Sequence, residues 1–149
     1  MNSKLIIGGA VVIIAGLLIL GRFTSKEAAG NWGNTDIQCL AQGHQNLAQH
    51  IHPNLFITVD DQPEPLPLNL GINESCMAEV HTHEEENRIH IESVTPKTFT
   101  LNDFFSVWGK GIEREGYTLN VLSDGDTVED PANLELRDGQ RIELNYLKK

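Results

Sequence analysis

At 149 residues the chain can hold one domain of ordinary size, although part of its 40% hydrophobic content belongs to an N-terminal segment rather than to a core. The formal net charge is -10, from 11 Lys and Arg against 21 Asp and Glu. Such a balance repels phosphate backbones and leaves no basic patch, so nucleic-acid binding is excluded as an expectation; weakly, it favours cations.

Residues 5–21, L-I-I-G-G-A-V-V-I-I-A-G-L-L-I-L-G, are apolar or glycine without interruption, between Lys4 and Arg22. That length reaches the lower limit for a transmembrane helix and also suits a signal-peptide core. The following R-F-T-S-K-E-A-A-G offers a poor cleavage site, with Glu27 and Ala29 at the best positions, which favours an uncleaved anchor over residues 1–23. Positive charges on the two sides do not settle orientation. The two cysteines do, because Cys39 and Cys76 in a small anchored domain point to a disulfide in an oxidising compartment. A single-pass membrane protein with its C-terminal domain outside the cytoplasm is therefore expected.

Residues 24–35, rich in Gly, Asn and small residues, read as a linker, and residues 36–149 as a single soluble domain. Ile37, Leu40, Ala41, His44, Leu47, Ala48 and Ile51 fall at helical spacing after Asp36, predicting a short helix with a weak point at Gly43 and His44 packed on its apolar stripe. From His50 the period changes to two. Ile51, Leu55, Ile57 and Val59 share one parity, and His50 and His52 project from the other. A turn at Asp60-Asp61-Gln62-Pro63 follows, and Pro65-Leu66-Pro67-Leu68 reads as an edge strand, because proline cannot donate to a central ladder.

In V-H-T-H, valine and threonine oppose His81 and His83; in R-I-H-I-E, Ile89 and Ile91 oppose His90 and Glu92. Both segments read as strands with apolar side chains inward and histidines outward, and the polar Glu84-Glu85-Glu86-Asn87 between them can close a hairpin. Register decides whether the four polar residues share a face. Thr100 and Asp103 have capping-box spacing before Leu101, Phe104, Phe105 and Trp108, which form the apolar stripe of a core helix stopped at Gly109. In the last third, alternating segments flank a Ser-Asp-Gly-Asp turn, and Asp138-Gly139 predicts a hairpin joining Leu134 and Leu136 to Ile142, Leu144 and Tyr146. The fold class is accordingly α+β, an antiparallel or mixed β-sheet with one or two short helices, with a β-grasp-like C-terminal end as one arrangement, preceded by the transmembrane helix.

Five of the six histidines fall in His-x-His or His-x-Glu pairs. Neutral imidazole is the commonest metal ligand near pH 7, and two residues at i and i+2 on a strand lie about 7 Å apart at the backbone, close enough for both rings to reach one ion. The candidate metal ligands are His81, His83, His90, Glu92, His50 and His52. Zinc accepts three histidines, or two and a glutamate, tetrahedrally; copper(II) takes histidines in a flatter arrangement. Cys76 joins them as a thiolate unless it is paired with Cys39. The bland alternative is histidines that face solvent or pair with Glu84, Glu85, Glu86 and Glu92. A cupin-like spacing is absent, as are G-x-S-x-G, P-loop and C-x-x-C motifs, so no catalytic residue and no organic cofactor is expected.

The order H-x-H-P-x-L-x-I from His50, C-x4-H-T-H from Cys76, I-H-I-E-S from Ile89 and F-T-L-x-D-F-F-x-V-W-G from Phe99 resembles a small, largely uncharacterised family of prokaryotic secreted or membrane-anchored domains. The resemblance spans residues 49–147 and includes a closing D-G-Q turn, although E-E-E-N stands where relatives often carry Asp and Gly after H-T-H. It implies location and domain type, and no reaction. Extracytoplasmic binding of copper or zinc for capture or delivery is the expectation; the alternative is a metal-free module contacting an envelope protein.

Overall fold

The computed structural model describes residues 32, 35–40 and 43–149. The apolar run expected to be an anchor, and nearly all of the linker, lie outside these residues. Among the described residues no helix is long and apolar enough to cross a membrane. The described chain is α+β, mostly strand with one α-helix.

In chain order the strands are β1 (Gln49–Ile51), β2 (Asn54–Val59), β3 (Gln62–Glu64), β4 (Ile72–Asn73), β5 (Cys76–Met77), β6 (Val80–His81) and β7 (His90–Ser93). Helix α1 (Leu101–Trp108) follows, then β8 (Tyr117–Ser123), β9 (Asp126–Thr127) and β10 (Arg141–Lys148). The largest sheet has the order β3-β2-β10-β8-β9, with β2 and β10 parallel at its centre and its other pairs antiparallel. Period-two alternation gives this sheet one core face: Leu55 and Ile57 lie beside Ile142 and Leu144, and Leu144 opposes Val121. Asp60 and Asp61, both at positive φ, make the two-residue turn from β2 to β3, as Asp124 and Gly125 do from β8 to β9.

Helix α1 begins as its sequence dictates, with the Asp103 carboxylate accepting from the Thr100 backbone N–H at 2.7 Å, and ends at Gly109 in the left-handed region. Leu101, Phe104, Phe105 and Val107 are buried in the common core, and each large apolar side chain so placed contributes about 1.5–3 kcal/mol.

Three expectations are overturned. Among the described residues of the segment expected to be helical, 37–40 and 43–48 are irregular and 49–51 are extended, with Gly43 and Asn46 at positive φ and the Cys39 backbone paired with Ala78. Backbone pairing with β5 and β7 outweighs the apolar spacing, since Leu40 N–H donates to Met77 and Ala48 N–H to Ser93. The edge strand is 62–64, with Pro63 inside it, and the 65–68 stretch is not a strand. No hairpin joins Leu134 and Leu136 to β10: that segment bonds the helix entry instead, Leu101 N–H to Leu134 and Leu136 N–H to Phe99, while β10 is already flanked by β2 and β8.

Candidate metal centre

A second sheet, in the order β1-β7-β6, builds the site. Central strand β7 alternates, placing His90 and Glu92 on one face and Ile91 on the other. Antiparallel registers set His81 opposite His90 and His50 opposite Glu92, so all four share a face, while Val80, Ile91 and Ile51 form the apolar row behind them. His52 and His83 continue the same parity just beyond the strand ends. Their rings stand 4.7 and 4.6 Å, centroid to centroid, from that of His90, both edge-on.

This face is not turned to solvent as the alternation alone predicts. His81 and Glu92 are fully buried and His90 is 9% exposed, and His44, from the chain before β1, lies against the same face. The Nδ1 of His44 lies 2.9 and 2.8 Å from the two Glu92 oxygens, and its ring is 5.5 Å from that of His83. Expected to pack on an apolar stripe, His44 is instead half exposed and completes a gathering of all six histidines. Sequence reasoning missed it because helical spacing gave it a core role; its nearness to Glu92 depends on a contact 48 positions away.

The hydrogen bonds fix where lone pairs remain. A carbonyl only accepts, so the 2.8 Å contact from His81 Nδ1 to Ala78 O puts the ring proton on Nδ1 and the lone pair on Nε2. That Nε2 accepts a hydrogen bond from Nε2–H of His83 at 3.2 Å, a proton that an ion would displace. Two ligands about 2.05 Å from one tetrahedral ion stand about 3.3 Å apart, so the pair already has the separation that one ion requires. On the other side, His50 Nε2 is 3.0 Å from Glu92 Oε1, an ion-pair distance. Glu92 thus spends its oxygens on His44 and His50, the arrangement by which a carboxylate orients a ligating ring. Asp138 accepts from the His52 backbone N–H at 2.8 Å, so the Asp-Gly turn that was expected to form a hairpin holds His52 in place instead.

Two sets of three histidines have ligand nitrogens all within 4.8 Å of one another: His50, His52 and His90, and His81, His83 and His90. Burial holds the His81 imidazolium down to a pKa of about 3, against a raising contribution from the Ala78 carbonyl and with added repulsion from His83, His90 and His44. His90 is lowered to about 4, by burial first and then by repulsion from His83 and His52. Both rings are neutral at pH 7, the form that binds a metal.

Cys39 and Cys76 form a disulfide, which removes the thiolate alternative for Cys76 and closes a loop that carries His44, His50 and His52. Compared with protein-family models, with curated proteins and with solved structures, the chain matches none.

Proposed function

We propose that the chain is a membrane-anchored extracytoplasmic domain that binds a transition metal, copper or zinc, through His81, His83, His90, His50 and His52, for capture or delivery. The observation that carries this reading is the convergence of two histidine pairs on His90, each set with its nitrogens within 4.8 Å. Buried neutral imidazoles are costly to assemble unless something uses their lone pairs, and a soft-to-borderline cation does. Glu92 acts in this reading from behind the ligands, aligning His50 and His44. Three protein nitrogens leave a coordination position free, and the half-exposed His44 and His50 mark the side open to solvent, where an exchangeable ligand or an acceptor protein approaches. The β-grasp-like order of the large sheet supplies a rigid base, the disulfide supports an oxidising compartment, and the apolar run 5–21 supplies the anchor.

A second reading, a metal-free module contacting an envelope protein, is favoured by the exposure of His44, His50 and the acidic turn at Glu84, Glu85 and Glu86 on one molecule. The experiment that separates the two is a titration of the purified full-length chain, stripped of metal, with Cu(II) and Zn(II). Binding below micromolar concentration that weakens at least tenfold in His81→Ala/His83→Ala is expected. A wild-type chain that binds neither ion at submillimolar concentration leaves only the interaction module.

A further inference from the structure

The metal reading assigns His90 to both sets of ligands, and the ring has two nitrogens. Both are buried, and neither has a hydrogen-bond partner among the described residues. Every other histidine has at least one ring nitrogen within 4 Å of a polar atom: His81 with Ala78 and His83, His44 and His50 with Glu92, and His52 with Asp138 at 3.7 Å. A buried imidazole with neither nitrogen satisfied is rare in a folded protein, since even a neutral ring carries one donor and one acceptor. A single metal ion satisfies only one of them. The ring stays half orphaned.

The topology supplies the second partner. Strand β7 is central, with β1 on one side and β6 on the other. His50 and His52 therefore approach His90 from the β1 side, and His81 and His83 from the β6 side, at ring-centroid distances of 6.4, 4.7, 5.5 and 4.6 Å. Each flanking pair makes a three-nitrogen set only by including His90.

Resting on the metal-binding reading, we propose that the domain holds two ions, one with His50 and His52 and one with His81 and His83, bridged by the imidazole ring of His90. As the second ion binds, the remaining ring N–H proton of His90 leaves to solvent and its electron pair forms the new metal–nitrogen bond, so the ring becomes an imidazolate with one ion on each nitrogen. With metal–nitrogen bonds of about 2.0–2.1 Å at either end of the ring, the ions stand roughly 6 Å apart. Each keeps three protein nitrogens and one open position. The class of site is a dinuclear histidine centre for copper(II) or zinc(II), or one of each.

The test is copper(II) titration of the full-length, metal-free chain, followed by metal analysis and electron paramagnetic resonance. Two Cu(II) per chain are expected, and with the spectra recorded at liquid-helium temperature the second equivalent should lower the counted spins to well under half of the copper present, because an imidazolate couples the two ions antiferromagnetically and weakly, so that only in the cold is the spinless ground state populated alone. His90→Ala should restore one spin per bound copper; the wild-type spin count decides the question by itself if that variant does not fold. One ion per chain, or two with full spin count, overturns the bridge and leaves the metal-binding reading intact. Binding of no copper overturns both.

Discussion

The Nδ1 of His44 reaches both oxygens of Glu92, at 2.8 and 2.9 Å, and Nε2 of His50 reaches one of the same oxygens at 3.0 Å. A fully buried carboxylate thereby holds two half-exposed rings from opposite ends of a segment that precedes it by more than forty residues. Glu92→Gln keeps the shape and removes the charge, and it turns one acceptor oxygen into a donor facing a ring N–H. Metal affinity is expected to fall by about 10- to 100-fold, the range seen when a carboxylate behind a ligating histidine is lost. Competition titration against a chelator of known affinity measures this, and an unchanged affinity in a folded variant removes Glu92 from the site.

Stability of the metal-free chain should depend on acid through His81 and His90. Their folded pKa values are depressed to about 3 and about 4, whereas in the unfolded chain each titrates near about 6.5. Below that value the unfolded state takes up protons that the folded state refuses. The stability is thus fully present above about pH 6.5 and falls as pH drops, to about pH 4 for His90 and about pH 3 for His81, by at most about 1.4 kcal/mol per pH unit for each ring. Urea unfolding at half-unit steps from pH 7 to 5 reads the slope. His81→Leu should be the flatter of the two curves, and coincident curves exclude His81 as a source of the acid sensitivity.

Much of the site was legible before the fold was known, for a specific reason. One face of β7 must meet the core, so the alternation Ile89, His90, Ile91, Glu92 sorts the polar pair onto the other face whatever the strand pairs with. The Glu84–Asn87 turn then makes His81 and His90 cross-strand neighbours by local connectivity. What depended on distant pairing was not legible. His50 opposes Glu92 through β1, and β10 reaches β2 in parallel, and neither register leaves a mark in the sequence near it. His44 was misplaced because helical spacing is also what a few apolar residues in an irregular segment produce by chance. The segment is held by Cys39, by backbone bonds to Met77 and Ser93, and by Glu92 itself.

Reduction of the Cys39–Cys76 disulfide should lower stability by about 3 to 4 kcal/mol, the chain entropy released when a loop of this length is opened. It should leave the site itself in place. His50 is positioned by β1–β7 pairing and Glu92, and His52 by Asp138, none of which needs the disulfide. Metal stabilises by its affinity for the folded state less any for the unfolded chain, so the comparison uses Cys39→Ser/Cys76→Ser, which lacks the disulfide without exposing thiolates; its stabilisation by metal should equal that of the wild type at the same free metal concentration. Thermal or urea unfolding of both proteins with and without Zn(II) makes the comparison. A smaller metal increment in the variant would show that the disulfide also sets the ligand geometry.

Gly71 ties the core to His81, one of the proposed ligands. It sits at φ +76°, where a side chain is strained, and a Cβ there would stand 2.9 Å from the Val80 carbonyl oxygen, 3.1 Å from Val107 of α1 and 3.2 Å from the Ala78 side chain. Ala78 and Val80 are the residues that fix His81: the first accepts its Nδ1–H, and the second precedes it in β6. Backbone cannot yield as a flexible side chain does, so Gly71→Ala should displace β6 as well as cost about 1–3 kcal/mol in strain. Gly125→Ala is the control. Its φ is +94° and nothing lies within 4 Å of its Cβ position, in the turn from β8 to β9. Both variants should lose stability in urea unfolding, but only Gly71→Ala should also lose metal affinity, by at least several-fold. Equal affinities in the two folded variants would mean that His81 finds its ligating position independently of the backbone beneath it.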